Sequence, residues 1–222
     1  MRQKIATGDN PNPAEVADVA RDAAVEGLER AEQDAEETGL VEHIRDQGMD
    51  RGQVIDGSAR LAETWAIDAA PHVTPVAVEQ EIKSEIAGVT VSGRLDVIEA
   101  DGSVRDWKTS GKTPSADDIA KSIQTEIYAA ITQKPIAFTY LVALKGGIKV
   151  LEYDVPGDVI AAAPALAADT VAHVAAGIAA GSFPRSRAGW HCSRRWCAFY
   201  SRCMSGRDDT TFAAIRRERS GV

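Results

Sequence analysis

The sequence predicts an α/β fold with a central mixed β-sheet flanked by helices, followed by a Cys-containing C-terminal tail. Three observations carry this. Ala- and Glu-rich helical blocks enclose a centre where apolar and polar residues alternate; Gly-containing turns join the alternating stretches; and 222 residues with 44% hydrophobic content suffice for one well-buried core.

Taken in order, residues 13–38 (PAEVADVARDAAVEGLERAEQDAEET) are rich in Ala, Glu and Leu, and Asn12 stands as a cap before Pro13 at the first helical position. Helix is expected onward to about Ala70, where PHVTP breaks the pattern. VAVEQEI, VTVSGRLDVIEA and VRDWKTS then read as strands joined by AG and ADG turns. SADDIAKSIQTEIYAAIT reads as one helix capped by Ser115, and IAFTYLVAL and IKVLEYDV as a strand pair about Gly146-Gly147. GDVIAAAPALAADTVAHVAAGIAAG reads as an Ala-rich helix interrupted or kinked by Pro164. The order α, βββ, α, ββ, α divides into an N-terminal helical region (1–70), a core (71–183) and a basic tail (184–222).

Net charge is −8, which by itself argues against a polyanionic partner, but the charge is unevenly placed. Residues 1–70 hold 7 basic and 16 acidic side chains, whereas 185–222 hold 9 and 3. In that tail FPRSRAGWHCSRRWCAFYSRC mixes arginines with aromatic rings, a composition that pairs with phosphates and stacks on bases, or else forms a solvated loop over a small aromatic cluster. No apolar run is expected to reach the roughly 20 residues that cross a bilayer, and MRQKIATGDNPNP lacks a secretory apolar region, so a cytoplasmic location without membrane attachment is expected. Three cysteines within 192–203 make a poor disulfide framework and suit a metal better.

The stretch GRLDVIEADGSVRDWKTS carries the chemistry. A strand ending in Asp96, a turn at Asp101-Gly102 and a second strand with Asp106-Trp107-Lys108 would bring two carboxylates together across a hairpin. Strand alternation puts Lys108 on the face of Asp106. Paired carboxylates repel unless a cation lies between them, and a hard divalent ion such as Mg²⁺ or Mn²⁺ is the natural occupant. A lysine beside it can orient or deprotonate water and stabilise charge on a phosphate. Taken alone, the spacing fits an amphipathic hairpin showing its charges to solvent better than it fits a metal site.

Three blocks together resemble the PD-(D/E)xK nuclease superfamily, and within it the RecB-like exonucleases, which include CRISPR-associated adaptation nucleases and many phage recombination exonucleases. GRLDVI is similar to that family's G-x-x-D strand, DWKTS to its D-x-K strand, and QTEIYAAI to the Gln-x-x-x-Tyr helix. The resemblance implies a restriction-endonuclease-like core in which Asp96, Asp106 and the backbone carbonyl of Trp107 bind metal and Lys108 is the catalytic base or water-positioning cation. It also implies that Gln124 and Tyr128, on one helical face with Lys121 beside them, position the nucleic acid or the active site. Glu79 and Glu81 lie on the preceding strand, where the family often has another acid, and Glu79 ranks first.

The same resemblance extends to Cys192-x₄-Cys197-x₅-Cys203, similar to the terminal three-cysteine motif that holds a [4Fe–4S] cluster. The family's fourth, upstream cysteine has no counterpart here; His43, His72, His173 or His191 would have to substitute, and a Cys₃His zinc site is a chemical alternative. The family's N-terminal metal-binding histidine also lacks a counterpart, since AAVEGLERAEQ offers Glu26 and Glu29 instead, and part of the usual N-terminal region is expected to be missing. The expected activity is that of a Mg²⁺- or Mn²⁺-dependent DNA exonuclease acting on ends of single-stranded or unwound DNA. Phage or host recombination and repair proteins are the expected partners. The other reading is a non-catalytic DNA-binding or assembly module that keeps the fold.

Overall fold

The computed structural model describes residues 1–38 and 50–181. His43, His191, Cys192, Cys197, Cys203 and the basic tail lie outside the described residues. Residues 1–25 with 54–181 form one compact unit, and residues 26–53 belong to a second. Within the second, Arg51 joins two helical segments through Glu32 at 2.7 Å and Glu29 at 3.8 Å, both exposed pairs of small energetic weight.

Helix α1 (Arg2–Thr7) ends on Gly8, whose φ of 79° supplies the left-handed cap, and Lys4 Nζ fastens it by donating to the carbonyls of Ala70 (2.8 Å) and Pro71 (3.2 Å). Helix α2 (Pro13–Thr38) starts as its sequence dictates: Asn12 Oδ1 accepts from the backbone N–H groups of Ala14 and Glu15 at 3.0 and 3.4 Å. Helix α3 (Arg51–Thr64) runs into a single π turn (Trp65–Ala69) and a 3₁₀ turn (Ala70–His72), where the chain leaves helix for sheet.

Five strands follow: β1 (Pro75–Ile86), β2 (Val89–Glu99), β3 (Val104–Ser110), β4 (Ile136–Leu144) and β5 (Gly147–Asp154), in spatial order β1-β2-β3-β4-β5. All neighbours are antiparallel except β3 and β4, which are parallel and therefore need a crossover. Helices α4 (Ala116–Ala120) and α5 (Ile123–Thr132) supply it, and α6 (Gly157–Ala180) closes the described chain. The mixed sheet with helical cover is the α/β architecture the sequence predicts. β4 is buried almost throughout, from Ile136 to Leu141 and Val142, as a strand covered on both faces must be. One core cluster joins Val104, Ile136 and Phe138 to Ile119, Tyr128, Ala129 and Ala163; a second joins Ile86 at the far end of β1 to Ala167 and Val171 of α6.

Four local expectations are corrected. The single helix expected from Ser115 is two, because Ser122 Oγ accepts from Thr125 N–H at 3.1 Å and starts a new helix just after Ser115 has capped the first in the same way. Strand β2 does not end at Asp96 but runs on to Glu99. Helix α6 passes through Pro164 unbroken, held by the burial of Ala163 before it and of Ala167 and Val171 after it. By length and composition α6 is also apolar enough to cross a bilayer, the one such helix among the described residues, where no such run was expected.

Candidate active site

The β2–β3 ladder holds only at Val97↔Arg105 and Ile98↔Val104. Continued by one step it would set Asp96 opposite Asp106, but there the strands part, while β3 goes on pairing with β4 as far as Ser110. The backbone N–H of Trp107, freed from the ladder, donates instead to Asp96 Oδ2 at 2.9 Å. In an extended strand the N–H and C=O of one residue point to the same edge, so the Trp107 carbonyl also faces this fork. Two aspartates and a carbonyl oxygen thus gather where the sheet opens.

Asp106 is 1% exposed, a buried carboxylate. Its Oδ1 accepts from Gln124 Nε2 at 2.8 Å, and its Oδ2 lies 2.5 Å from Lys108 Nζ as an ion pair. That oxygen has no hydrogen bond of proper geometry among the described residues. Burial holds the Asp106 carboxyl above the ordinary aspartate value, the charge of Asp96 adds to this, and Lys108 and Gln124 offset it only in part. The other amide hydrogen of Gln124 goes to the Tyr128 hydroxyl at 3.0 Å, and that hydroxyl donates to the Arg94 carbonyl at 2.5 Å. Burial pushes the Tyr128 phenol up as well, which keeps it a donor. An i, i+4 pair on α5 thereby spans from the Asp106 carboxylate to the backbone of β2. Gly93 lies under this contact: a Cβ there would meet Ile82 and Tyr128 at 3.6 Å, room for a methyl group and little more.

Glu79 falls opposite Asp96, since Val78 pairs with Val97 and Gln80 with Leu95. Its φ of 53° is a left-handed conformation inside a strand, uncommon for a residue with a side chain and a mark of locally stored strain. The carboxylate is held by Arg94 Nη1 at 3.1 Å, and Glu79 and Asp96 line one cleft. Glu81 instead pairs with Lys83 at 3.7 Å and is exposed. Lys121 does not join Gln124 and Tyr128 as expected: the break at Ser122 leaves it capping α4, paired at 2.5 Å with the exposed Asp117. His72 lies in the 3₁₀ turn, and His173 Nδ1 meets the Asp169 carbonyl within α6.

The cleft beside these acids measures about 240 Å³, and Arg2, Trp65, Glu79, Asp96 and Trp107 are among its lining residues. Trp65 and Trp107 meet edge to face, ring centres 5.5 Å apart, with the Arg105 guanidinium 5.9 Å from the Trp107 centre. Sequence reasoning missed Trp65, Arg94 and Arg105, whose contacts span 6 to 47 residues of chain in the case of the two arginines. The only local signal was a tryptophan closing a helical block just before PHVTP.

The donor set fits a hard divalent ion: all oxygen, with the charge of Asp96 adding to the cost of ionising the buried Asp106. Among the described residues no group of three or more His, Cys, Asp or Glu side chains is assembled for a metal.

An opened β2–β3 fork carrying Asp, Asp-x-Lys and a following Gln-x-x-x-Tyr helix defines a class of metal-dependent nuclease. The model of the PD-(D/E)XK nuclease superfamily matches residues 4–204, and the chain belongs to that superfamily. Its fold is similar to the crystal structure of a candidate exonuclease from Eubacterium rectale, with a TM-score of 0.52 and 11% identity over 90% of this chain and 76% of that one. The solved protein SSO0001 is 21% identical over 77% of this chain and 76% of its own, at a TM-score of 0.42, too low to argue from. No curated protein matches the sequence.

Proposed function

We propose that this chain is a Mg²⁺- or Mn²⁺-dependent deoxyribonuclease that works from ends of single-stranded or unwound DNA. One observation carries the reading: a buried Asp106 carboxylate set beside the like charge of Asp96, its Oδ2 answered only by the ion pair with Lys108, an arrangement that costs stability and that a purely structural carboxylate would avoid. Asp96, Asp106 and the Trp107 carbonyl would hold the ion, with Glu79 able to reach them once it leaves Arg94. When bound, such an ion makes water more acidic and neutralises charge developing on the phosphate. Lys108 supplies a cation to the same place and can accept or hold the proton of the attacking water. Gln124 fixes Asp106 through Oδ1, Oδ2 would turn from Lys108 to the metal, and Tyr128 anchors Gln124. The exonuclease character of the reading is supported by the designation of the E. rectale protein. Cys192, Cys197 and Cys203 are proposed to hold a [4Fe–4S] cluster, or less favourably Zn²⁺, with a non-cysteine fourth ligand, and the tail arginines to bind DNA backbone, in a phage recombination or repair setting.

The test is digestion of end-labelled single- and double-stranded DNA with Mg²⁺, Mn²⁺ or EDTA, wild type beside Asp106→Ala. Progressive end-degradation by the wild type in metal alone is expected, with a loss in the variant of about a thousandfold or more. A wild type that binds DNA and never cuts it would leave a binding module in place of an enzyme.

A further inference from the structure

The cleft lined by Glu79 and Asp96 has an aromatic wall that the hydrolytic chemistry does not use. Trp65 is half-buried at the first position of the π turn, and the turn's Ala66 and Ala69 are buried, so the backbone behind the ring is fixed. A π turn places one residue more in a helical turn than the α-helix does and so redirects the side chains it carries; such turns recur at functional sites. Trp107 is engaged with both Trp65 and the Arg105 guanidinium, whereas Trp65 has no other ring or cation partner among the described residues. Arg105 in turn is held by Glu99, Thr139 and Glu152, so Trp107 is a rigid backstop.

We infer that Trp65 stacks an unpaired nucleobase of a single DNA strand, setting the adjoining phosphate against Asp96. This rests on the nuclease reading and adds the substrate form to it. Three kinds of group line the one cleft: carboxylates that suit a cation, an indole that suits a base, and the Arg2 guanidinium that suits a phosphate. A base within a duplex stacks on its neighbours and cannot offer its face to an indole, whereas an unpaired base can, whatever its sequence. Discrimination for single strands and frayed ends would then follow from the π turn.

The experiment compares wild type, Trp65→Phe and Trp65→Leu with two probes, an oligothymidylate and a covalently closed duplex circle. Binding is measured in EDTA by tryptophan fluorescence and by competition; cleavage is measured with Mg²⁺. The leucine variant should bind the single strand roughly tenfold or more weakly, with duplex affinity nearly unchanged, and the phenylalanine variant should recover most of the loss. In cleavage the defect should fall on KM for single strands more than on kcat. The fluorescence change on adding oligothymidylate should shrink in Trp65→Phe, a variant that keeps an aromatic side chain in place should the leucine variant fail to fold. Unchanged single-strand binding in both variants, or equal losses for both probes, would overturn the inference while leaving the nuclease reading intact. A wild type that bound oligothymidylate through Trp65 yet cut nothing would uphold stacking and sink the nuclease.

Discussion

Arg105 and Asp106 are adjacent in β3 and point to opposite faces of the same sheet, yet they are treated in opposite ways. Arg105 is matched on two of its nitrogens: Nε donates to Glu99 at 2.8 Å, and Nη1 donates to Thr139 Oγ1 at 2.7 Å and to Glu152. Burial disfavours its charge, but Glu99 and Glu152 outweigh that and push its pKa further up. Asp106 is more deeply buried, faces a like charge, and keeps an oxygen without a hydrogen bond. A fold that satisfies one residue so well has not left the next one short for want of partners. The matched ion ties strands together, whereas the mismatched one is kept for a ligand.

The largest effect expected lies on the Asp106 side. Lys108 pairs with Asp106 Oδ2, and the contact would be remade with water or phosphate during reaction. Replacing it with methionine keeps the length of the side chain and removes the charge, so cleavage should fall roughly 10²- to 10⁴-fold while DNA affinity changes by about twofold or less. Single-turnover rates measured beside binding curves separate the two. A variant with wild-type turnover would place Lys108 with Arg105, as a structural cation.

How far this contrast could be read from the sequence depends on the range of the contacts involved. Asn12-Pro13 announced a helix start because a cap acts within three residues, and Ala87-Gly88 announced a hairpin turn because both must take positive φ there, 50° and 75°. Asp106 and Lys108 share a face because alternation is a local property of strands. The break at Ser122 was hidden because Lys121 and Ser122 do not disturb a helical pattern; only the side-chain bond to Thr125 N–H reveals it. That the β2–β3 ladder would stop at the aspartates, that Glu79 would turn left-handed beside them, and that Trp65 would line their cleft all depend on residues distant in the chain. No local pattern encodes them.

The intermediate effect lies on the Arg105 side. Arg105→Met would leave Glu99, whose side chain is 13% exposed, without its cation, and Thr139 without its donor. A loss of roughly 2–3 kcal/mol is expected, a fall in Tm of about 5–10 °C, with cleavage per folded molecule within a few-fold of wild type. Thermal melts combined with active-site titration would show it. A stable but inactive variant would mean that the backstop behind Trp107 takes part in the reaction and that the two faces are not independent.

The smallest effect is a pH dependence confined to Asp106. Its carboxyl is raised above the ordinary 3.8 on folding, so the folded chain holds this proton more tightly than the unfolded one. The sign follows: the stabilisation is fully present below the unfolded value and is lost as pH rises through the folded value. In EDTA, therefore, wild type should lose Tm relative to Asp106→Asn as pH climbs from about 4 toward neutrality, because the asparagine cannot ionise. Saturating Mg²⁺ should reverse the order, since an ion that binds only the folded, ionised pair stabilises wild type increasingly as protons leave, and has little hold on the variant. Melting curves for both proteins across that range, with and without metal, read out the difference directly. A wild-type-minus-variant difference that stays flat in EDTA would mean Asp106 titrates like an exposed carboxylate, and its contrast with Arg105 would fail at the residue on which it rests.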